Sequence, residues 1–258
     1  SSPWTWQKND KRNRVVRDIL KRSPLPFFYA NQVGSQNNGK NIIVFDGDST
    51  AYGADGEVVR RAEPWREQLL LTSGDTGVAS AQSENEARYM GILTGLRHLD
   101  HLRETENKFL IAASGGVDSS VVVCLLERAF GPERVFAVNM PTRFNAAVTQ
   151  DNARDICEKL GVDYISRPIE ELYEAVATLV KGTEFAFGPG EYTRLVDENI
   201  QARIRFADVL SGLAAKYGLI FTNNGNKTEV ALGYATLYGD VSGAVAPIAD
   251  LYKPEVFE

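Results

Sequence analysis

The spacing of apolar residues changes character along the chain. In the first quarter it is short and strand-like. Phe27-Phe28-Tyr29-Ala30 and Ile42-Ile43-Val44-Phe45 are β-branched or aromatic runs bounded by Gly and Asn. Ala54-Asp55-Gly56-Glu57 has the composition of a hairpin turn ahead of Val58-Val59, and Gln68 to Leu71 predicts a further strand. A helix over 8–22 precedes these runs and stops at Ser23-Pro24-Leu25-Pro26, because proline removes a donor and restricts the residue before it. Between 83 and 104, Ala87, Met90, Leu93, Leu96 and Leu99 recur at helical spacing behind a capping box of Ser83 and Glu86.

From residue 108 the rhythm becomes apolar strand, loop, helix, repeated. Phe109-Leu110-Ile111-Ala112-Ala113 is a continuous apolar run, as a strand buried on both faces requires. Further strands are predicted at 134–138, 163–166 and 219–222. Helices are predicted at about 119–130, 147–160, 169–181 and 195–217, the last burying Ile200, Ile204, Ala207, Leu210 and Ala214. This alternation implies an α/β unit with a mostly parallel, doubly covered sheet. The polar stretch Ser73-Gly74-Asp75-Thr76-Gly77 is the expected boundary, giving a first unit at 1–76, a linker and leading helix at 77–107, and a second unit at 108–258.

Charge supports the division and narrows the partners. The 258 residues carry a net charge of −6, with 11 basic and 8 acidic residues in 1–72 against 17 and 26 in the remainder. Such an acidic balance speaks against a nucleic-acid binder that works by phosphate neutralisation, and the basic stretch Lys8 to Arg22 reads as a solvated helix face. No apolar run is long enough for a membrane span. The N-terminus has neither Met nor a signal segment and reads as a start inside a longer chain. Cys124 and Cys157 have no metal-ligand spacing, which fits a reduced, cytoplasmic protein. His98 and His101 share a helix face, but without a third ligand they read as surface histidines near a helix end.

The chemistry concentrates in Ser114-Gly115-Gly116-Val117-Asp118-Ser119-Ser120, which joins the first strand of the second unit to its first helix. Ligands bind at that carboxyl edge in open α/β sheets. Adjacent glycines let the backbone turn its N–H groups into one anion-sized concavity, and Ser119 and Ser120 add hydroxyls at a helix N-terminus. Asp118 beside a phosphate nest makes sense if a divalent cation lies between them. The string lacks the Gly-Lys-Ser/Thr ending of a Walker loop and the spacing of a dinucleotide fingerprint.

Ser-Gly-Gly-Val-Asp-Ser-Ser resembles the pyrophosphate-binding loop of the ATP pyrophosphatase group. Glu198-Asn199-Ile200-Gln201-Ala202-Arg203-Ile204-Arg205, Thr222-Asn223-Asn224-Gly225-Asn226-Lys227-Thr228-Glu229 and Gly233-Tyr234-Ala235-Thr236-Leu237-Tyr238-Gly239-Asp240 together resemble glutamine-dependent NAD⁺ synthetase. In the first unit, Ser1-Ser2-Pro3-Trp4, Tyr29-Ala30-Asn31-Gln32-Val33-Gly34 and Phe45-Asp46-Gly47-Asp48-Ser49 look like the last third of that family's nitrilase-like glutaminase domain. The resemblance implies the end of a nitrilase-like α/β sandwich followed by a Rossmann-like synthetase domain of the adenine-nucleotide alpha-hydrolase kind. The family's glutaminase cysteine would lie upstream of Ser1, and its final helices beyond Glu258.

The resemblance further implies ATP-dependent amidation of deamido-NAD⁺ through an adenylated intermediate, with ammonia or glutamine as nitrogen source, Mg²⁺ as metal and assembly as homo-oligomers. Ala112, Ala113, residues 114–120 from Ser114 to Ser120, Asn224 and Lys253 would bind ATP, and Asp118 and Glu229 the metal. Asn199, Arg203 and Glu229 would contact deamido-NAD⁺, while Ser2 and Lys8 would be remnants of a glutamine site. On local grounds Glu229 also reads as a first-turn helix carboxylate, Asn224 as a turn residue and Arg203 as an ion-pair partner on its own helix. Two alternatives stay open: another amide-forming ATP pyrophosphatase, such as a GMP-synthetase-like enzyme, and an ATP-binding module without turnover.

Overall fold

Two units are distinguished in the computed structural model, Ser1–Leu102 and Arg103–Glu258. Residues 2–71, 82–102 and 106–258 are described. The polar stretch at 73–77 expected to mark the boundary lies outside them.

In the first unit, helix α1 (Lys8–Leu20) buries Val16 and Leu20 against Tyr52. Five short strands follow: β1 (Phe27–Tyr29), β2 (Val33–Asn37), β3 (Ile42–Asp46), β4 (Thr50–Tyr52) and β5 (Val58–Arg61). They form an antiparallel sheet of order β1-β4-β5 and an antiparallel β2-β3 pair in which Val33 faces Asp46 and Asn37 faces Ile42. The expected turn at 54–57 is present, closed by Gly53 N–H donating to the Glu57 carbonyl at 2.9 Å. Residues 68–71 form no strand. Conversely, β2 has the sequence VGSQN, with too little apolar alternation to announce itself, and forms because β3 supplies a complete antiparallel ladder.

The basic face of α1 is not simply solvated. Lys8 and Arg12 turn inward, Lys8 onto Asp46 and Arg12 onto Asp48, whose other oxygen meets Arg61 Nε at 3.3 Å. These side chains are almost fully buried, and each charge is tolerated because an opposite one was buried with it. Helix α2 (Glu84–Arg97) carries the expected capping box of Ser83 and Glu86 and continues into a 3₁₀ turn, His98–Leu102. His98 is not a surface residue: it is buried, with Nδ1 2.9 Å from the Ser35 hydroxyl of β2, whereas His101 is exposed.

The second unit follows the predicted alternation: β6 (Phe109–Ala112), α3 (Val117–Phe130), β7 (Val135–Asn139), α4 (Ala147–Leu160), β8 (Asp163–Ser166), α5 (Glu170–Lys181), α6 (Arg194–Arg203), α7 (Ser211–Tyr217), β9 (Ile220–Phe221), α8 (Lys227–Leu232) and α9 (Lys253–Phe257). The sheet is parallel in all three pairings, with order β8-β7-β6-β9. Leu110 and Val138 join a core with residues of α5, α6 and α7, while Phe109, Ile111, Val135 and Ala137 alternate to the opposite side and are equally buried. Both faces are thus covered, which is why these strands read as continuous apolar runs.

The predicted 195–217 helix is one continuous rod only in outline. Between α6 and α7 it widens into a π-helical turn over Ile204–Leu210, which rotates the following side chains relative to an α-helical register. Among the described residues the cysteines are free, and burial pushes the Cys157 thiol up to about 11. No helix among the described residues is long and apolar enough to cross a membrane.

Candidate functional site

Chain order creates the site. From β6 the chain moves outward to β7 and β8, and returns to place β9 on the other side of β6. The loops after β6 and β9 therefore diverge from neighbouring strands, and the crevice between them is where an open α/β sheet binds ligands. A cavity of about 530 Å³ opens there, lined by residues from the ends of β6, β7 and β9 and from α6, the π turn and α8.

The glycine loop forms its floor. Gly115 has φ +81°, and a Cβ on it would lie 1.8 Å from the Thr149 carbonyl oxygen of α4, so the loop is seated against α4 where no side chain fits. Gly116 is the N-cap of α3 and supplies no capping side chain, leaving first-turn amides available to an anion. Ser119 donates to the Gly116 carbonyl at 3.0 Å, and its hydroxyl also lies 3.0 Å from that of Ser114. Ala112, Ala113, Ser114, Gly116, Asp118 and Ser119 line the cavity; Gly115, Val117 and Ser120 complete the turn behind it.

Side chains from distant segments converge on this loop. Asn224 donates to the Ala112 carbonyl at 3.0 Å and accepts from Thr222 at 2.9 Å. Fully buried Asn226 donates from Nδ2 to Asp118 at 3.0 Å. The same residue caps α8 reciprocally with Glu229, each backbone N–H donating to the other's side chain at 3.1 Å. One asparagine thus ties both candidate metal carboxylates, Asp118 and Glu229, to the same backbone. Lys253 at the start of α9 pairs with the second oxygen of Asp118, carried there by a segment whose Val245 bridges to Thr222 beside β9.

Of the residues expected to contact deamido-NAD⁺, Asn199 and Glu229 line the cavity. Arg203 is exposed, donates from Nε to the Leu237 carbonyl at 3.2 Å and is not among the lining residues. The arginine that does line the cavity is Arg205, in the π turn, which sequence periodicity did not single out. Asn139 was missed as well. It ends β7 and donates to the Ala113 carbonyl at 2.8 Å, holding two strand ends together. Asn226 left a readable signal, since Asn three residues before Glu at a helix start is a capping box. In the first unit, Ser2 and Lys8 meet: Lys8 donates to the Ser2 carbonyl at 3.4 Å and to Asp46, and Ser2 N–H donates to Asn31 at 2.9 Å.

Among the described residues no three His, Cys, Asp or Glu side chains gather as a metal cage. Mg²⁺ does not require one, since it is commonly held by one or two carboxylates together with water and phosphate oxygens. Asp118 and Glu229, both hydrogen-bonded to Asn226 beside an anion nest, are a donor set of that kind.

Comparisons with known proteins agree with this architecture. A sequence profile for NAD synthase matches residues 96–258. A glutamine-dependent NAD(+) synthetase of Synechocystis is 31% identical over all of this chain and 46% of its own length. The structure of a glutamine-dependent NAD⁺ synthetase from Acinetobacter baumannii in complex with ADP superposes with TM-score 0.84 at 29% identity, covering 100% of this chain and 48% of that one. An NH3-dependent NAD synthetase from Campylobacter jejuni gives TM-score 0.59 at 28% identity, covering 67% and 70%. The chain spans about half the length of the curated relatives it matches. With a Rossmann-like sheet, a glycine nest at its switch point and a profile match over most of its length, the chain belongs to the NAD synthase family.

Proposed function

We propose that this chain carries the ATP-dependent amidation of deamido-NAD⁺ to NAD⁺, with AMP and pyrophosphate as the other products. The observation that carries the reading is the convergence of the uncapped glycine nest, Asp118 and Asn226 at the switch point of the sheet. In the proposed sequence the nicotinate carboxylate attacks the α-phosphorus of ATP. The bond to the β-phosphate oxygen breaks and pyrophosphate leaves into the nest. Ammonia then attacks the acyl carbon and expels AMP, losing a proton as the amide forms.

The chain's contribution is positioning and electrostatic stabilisation. First-turn amides of α3 and the hydroxyls of Ser114 and Ser119 receive the β- and γ-phosphates. Asn224 and Asn139 fix the carbonyls of Ala112 and Ala113, so the strand end does not yield when the nucleotide settles. Lys253 exchanges part of its pairing with Asp118 for phosphate as the ligand arrives. Asp118 and Glu229 would hold Mg²⁺, which supplies charge neutralisation on the phosphate oxygens when bound. Asn199 and Glu229 would face the deamido-NAD⁺ side, with Arg203 at the neighbouring Leu237 segment.

In the same reading, 108–258 is the synthetase domain, 77–107 its leading segment and 1–76 the end of a glutaminase domain whose Ser2 and Lys8 contact glutamine. The family's homo-oligomeric assembly belongs to that reading. The test is Mg²⁺-dependent pyrophosphate release from ATP, with and without deamido-NAD⁺, using ammonium as nitrogen donor. Release that requires deamido-NAD⁺ and disappears in Asp118→Asn supports the proposal. Release driven instead by a purine nucleotide carbonyl substrate would favour a GMP-synthetase-like enzyme, and ATP binding without any release would mark a binding module.

A further inference from the structure

The cavity is lined by four acidic side chains, Asp118, Glu198, Glu229 and Asp240, and, among the described residues, by a single basic one, Arg205. Three neutral acceptors hold its guanidinium: the Met140 carbonyl with Nε at 3.1 Å, and Asn145 Oδ1 and Gln201 Oε1 with one terminal nitrogen at 3.2 Å each. Among the described residues no carboxylate pairs with it. Those acceptors are themselves fixed, because the Thr142 hydroxyl bridges Gln201 at 3.0 Å and Asn145 at 3.1 Å. The network orients the cation without neutralising it. Burial pushes the Arg205 pKa down, with no opposing charge to raise it, yet a guanidinium stays protonated and so remains an unneutralised charge.

Such an arrangement is costly in an empty cavity and favourable once a ligand brings negative charge. Its position narrows the ligand. Asn145 stands just before Ala146, the N-cap of α4, and the glycine loop sits on Thr149 and Ala153 of the same helix. Arg205 and the glycine loop therefore both meet the N-terminal part of α4, with Gln150 of that helix lining the cavity. We propose that Arg205 takes a phosphate group of the nucleoside triphosphate from the α4 side, opposite the carboxylates Asp118 and Glu229. The inference rests on the nucleotide reading above and adds to it the residue that supplies fixed positive charge. A planar, preoriented guanidinium suits phosphate oxygens better than a flexible ammonium.

The test is calorimetric titration of the whole chain with Mg²⁺–ATP, Mg²⁺–pyrophosphate and adenosine, comparing wild type, Arg205→Met and Arg205→Lys. Loss of a charge-assisted contact should raise the dissociation constants of ATP and pyrophosphate at least about tenfold in Arg205→Met. Arg205→Lys should recover part of this, and adenosine should bind unchanged. Should Arg205→Met lose its fold, Arg205→Gln, which keeps a donor toward Met140 without charge, gives the same readout. Unchanged ATP and pyrophosphate affinity would overturn the inference. So would an equal loss for adenosine, which would make Arg205 a structural latch. A wild-type chain that binds none of the three would overturn the nucleotide reading, and this inference with it.

Discussion

Gly115 and Gly116 are adjacent and look equivalent in the sequence, yet the structure gives them opposite sensitivities. Gly115 has φ +81°, and a Cβ there would stand 1.8 Å from the Thr149 oxygen, 2.7 Å from the Thr149 carbonyl carbon and 3.0 Å from the Ala153 nitrogen. All three are backbone atoms of α4, which cannot swing aside as a side-chain tip would. The left-handed conformation costs a non-glycine residue about 1–2 kcal/mol, and forcing the loop off a packed helix costs about 1–3 kcal/mol more. Gly115→Ala should therefore destabilise the fold by about 2–5 kcal/mol, or roughly 4–20 °C in Tm at about 2–4 °C per kcal/mol for units of this size. Gly116 has φ −78°, and a Cβ there would meet only the Ser114 hydroxyl oxygen at an ordinary 3.5 Å. Gly116→Ala should cost no more than about 1 kcal/mol, the penalty for alanine in place of glycine at an N-cap. Urea and thermal denaturation followed by far-ultraviolet circular dichroism compare the two directly. Equal stability of both variants, or a larger loss at Gly116, would refute the seating of the loop on α4.

Other consequences are equally open to measurement. Asn226→Ala removes a helix cap and the donor to Asp118 in one step, and should cost about 1–3 kcal/mol in chemical denaturation. Asp48→Ala strands Arg12 and Arg61 inside the first unit and should cost about 3–5 kcal/mol, the penalty for breaking a buried ion cluster from one side; a near-neutral effect would mean those arginines reach water. Cys157, with its thiol pushed up to about 11 against an unfolded value near 8.5, should resist iodoacetamide at pH 8 in the native state while reacting in urea, as read by mass spectrometry. The sign for stability follows: the folded thiol holds its proton more tightly, so this contribution is complete below about pH 8.5 and is lost as pH rises toward about 11.

The strand–glycine–helix succession at 109–130, the helix 147–160, the strand 163–166 and the capping box at Ser83 were legible because each is encoded by neighbours in sequence. Apolar runs, helical spacing and caps act over a few residues, and tertiary structure had only to accept them. The glycine-rich turn was legible for the same reason: two adjacent glycines between an apolar strand and a helical pattern mark a tight strand-to-helix connection. What local pattern could not reach is everything that depends on strand order. Asn226 meets Asp118 across 108 residues and Lys253 meets it across 135, because β9 lies beside β6 rather than beside β8. That Arg205, and not Arg203, lines the cavity follows from which stripe of the helix meets the sheet edge, the one running through Glu198, Asn199, Ala202 and Arg205, a choice that helical spacing alone leaves open. Burial of Lys8, Arg12 and His98 was hidden likewise, because a charged or polar residue reads as exposed until its partner, supplied by Asp46, Asp48 or Ser35, is folded against it. The sequence by itself determined most of the helices and strands of the second unit and the glycine-rich turn between β6 and α3. The tertiary structure alone decided which side chains from distant segments surround that loop, because such contacts are made through space, at separations no local periodicity spans.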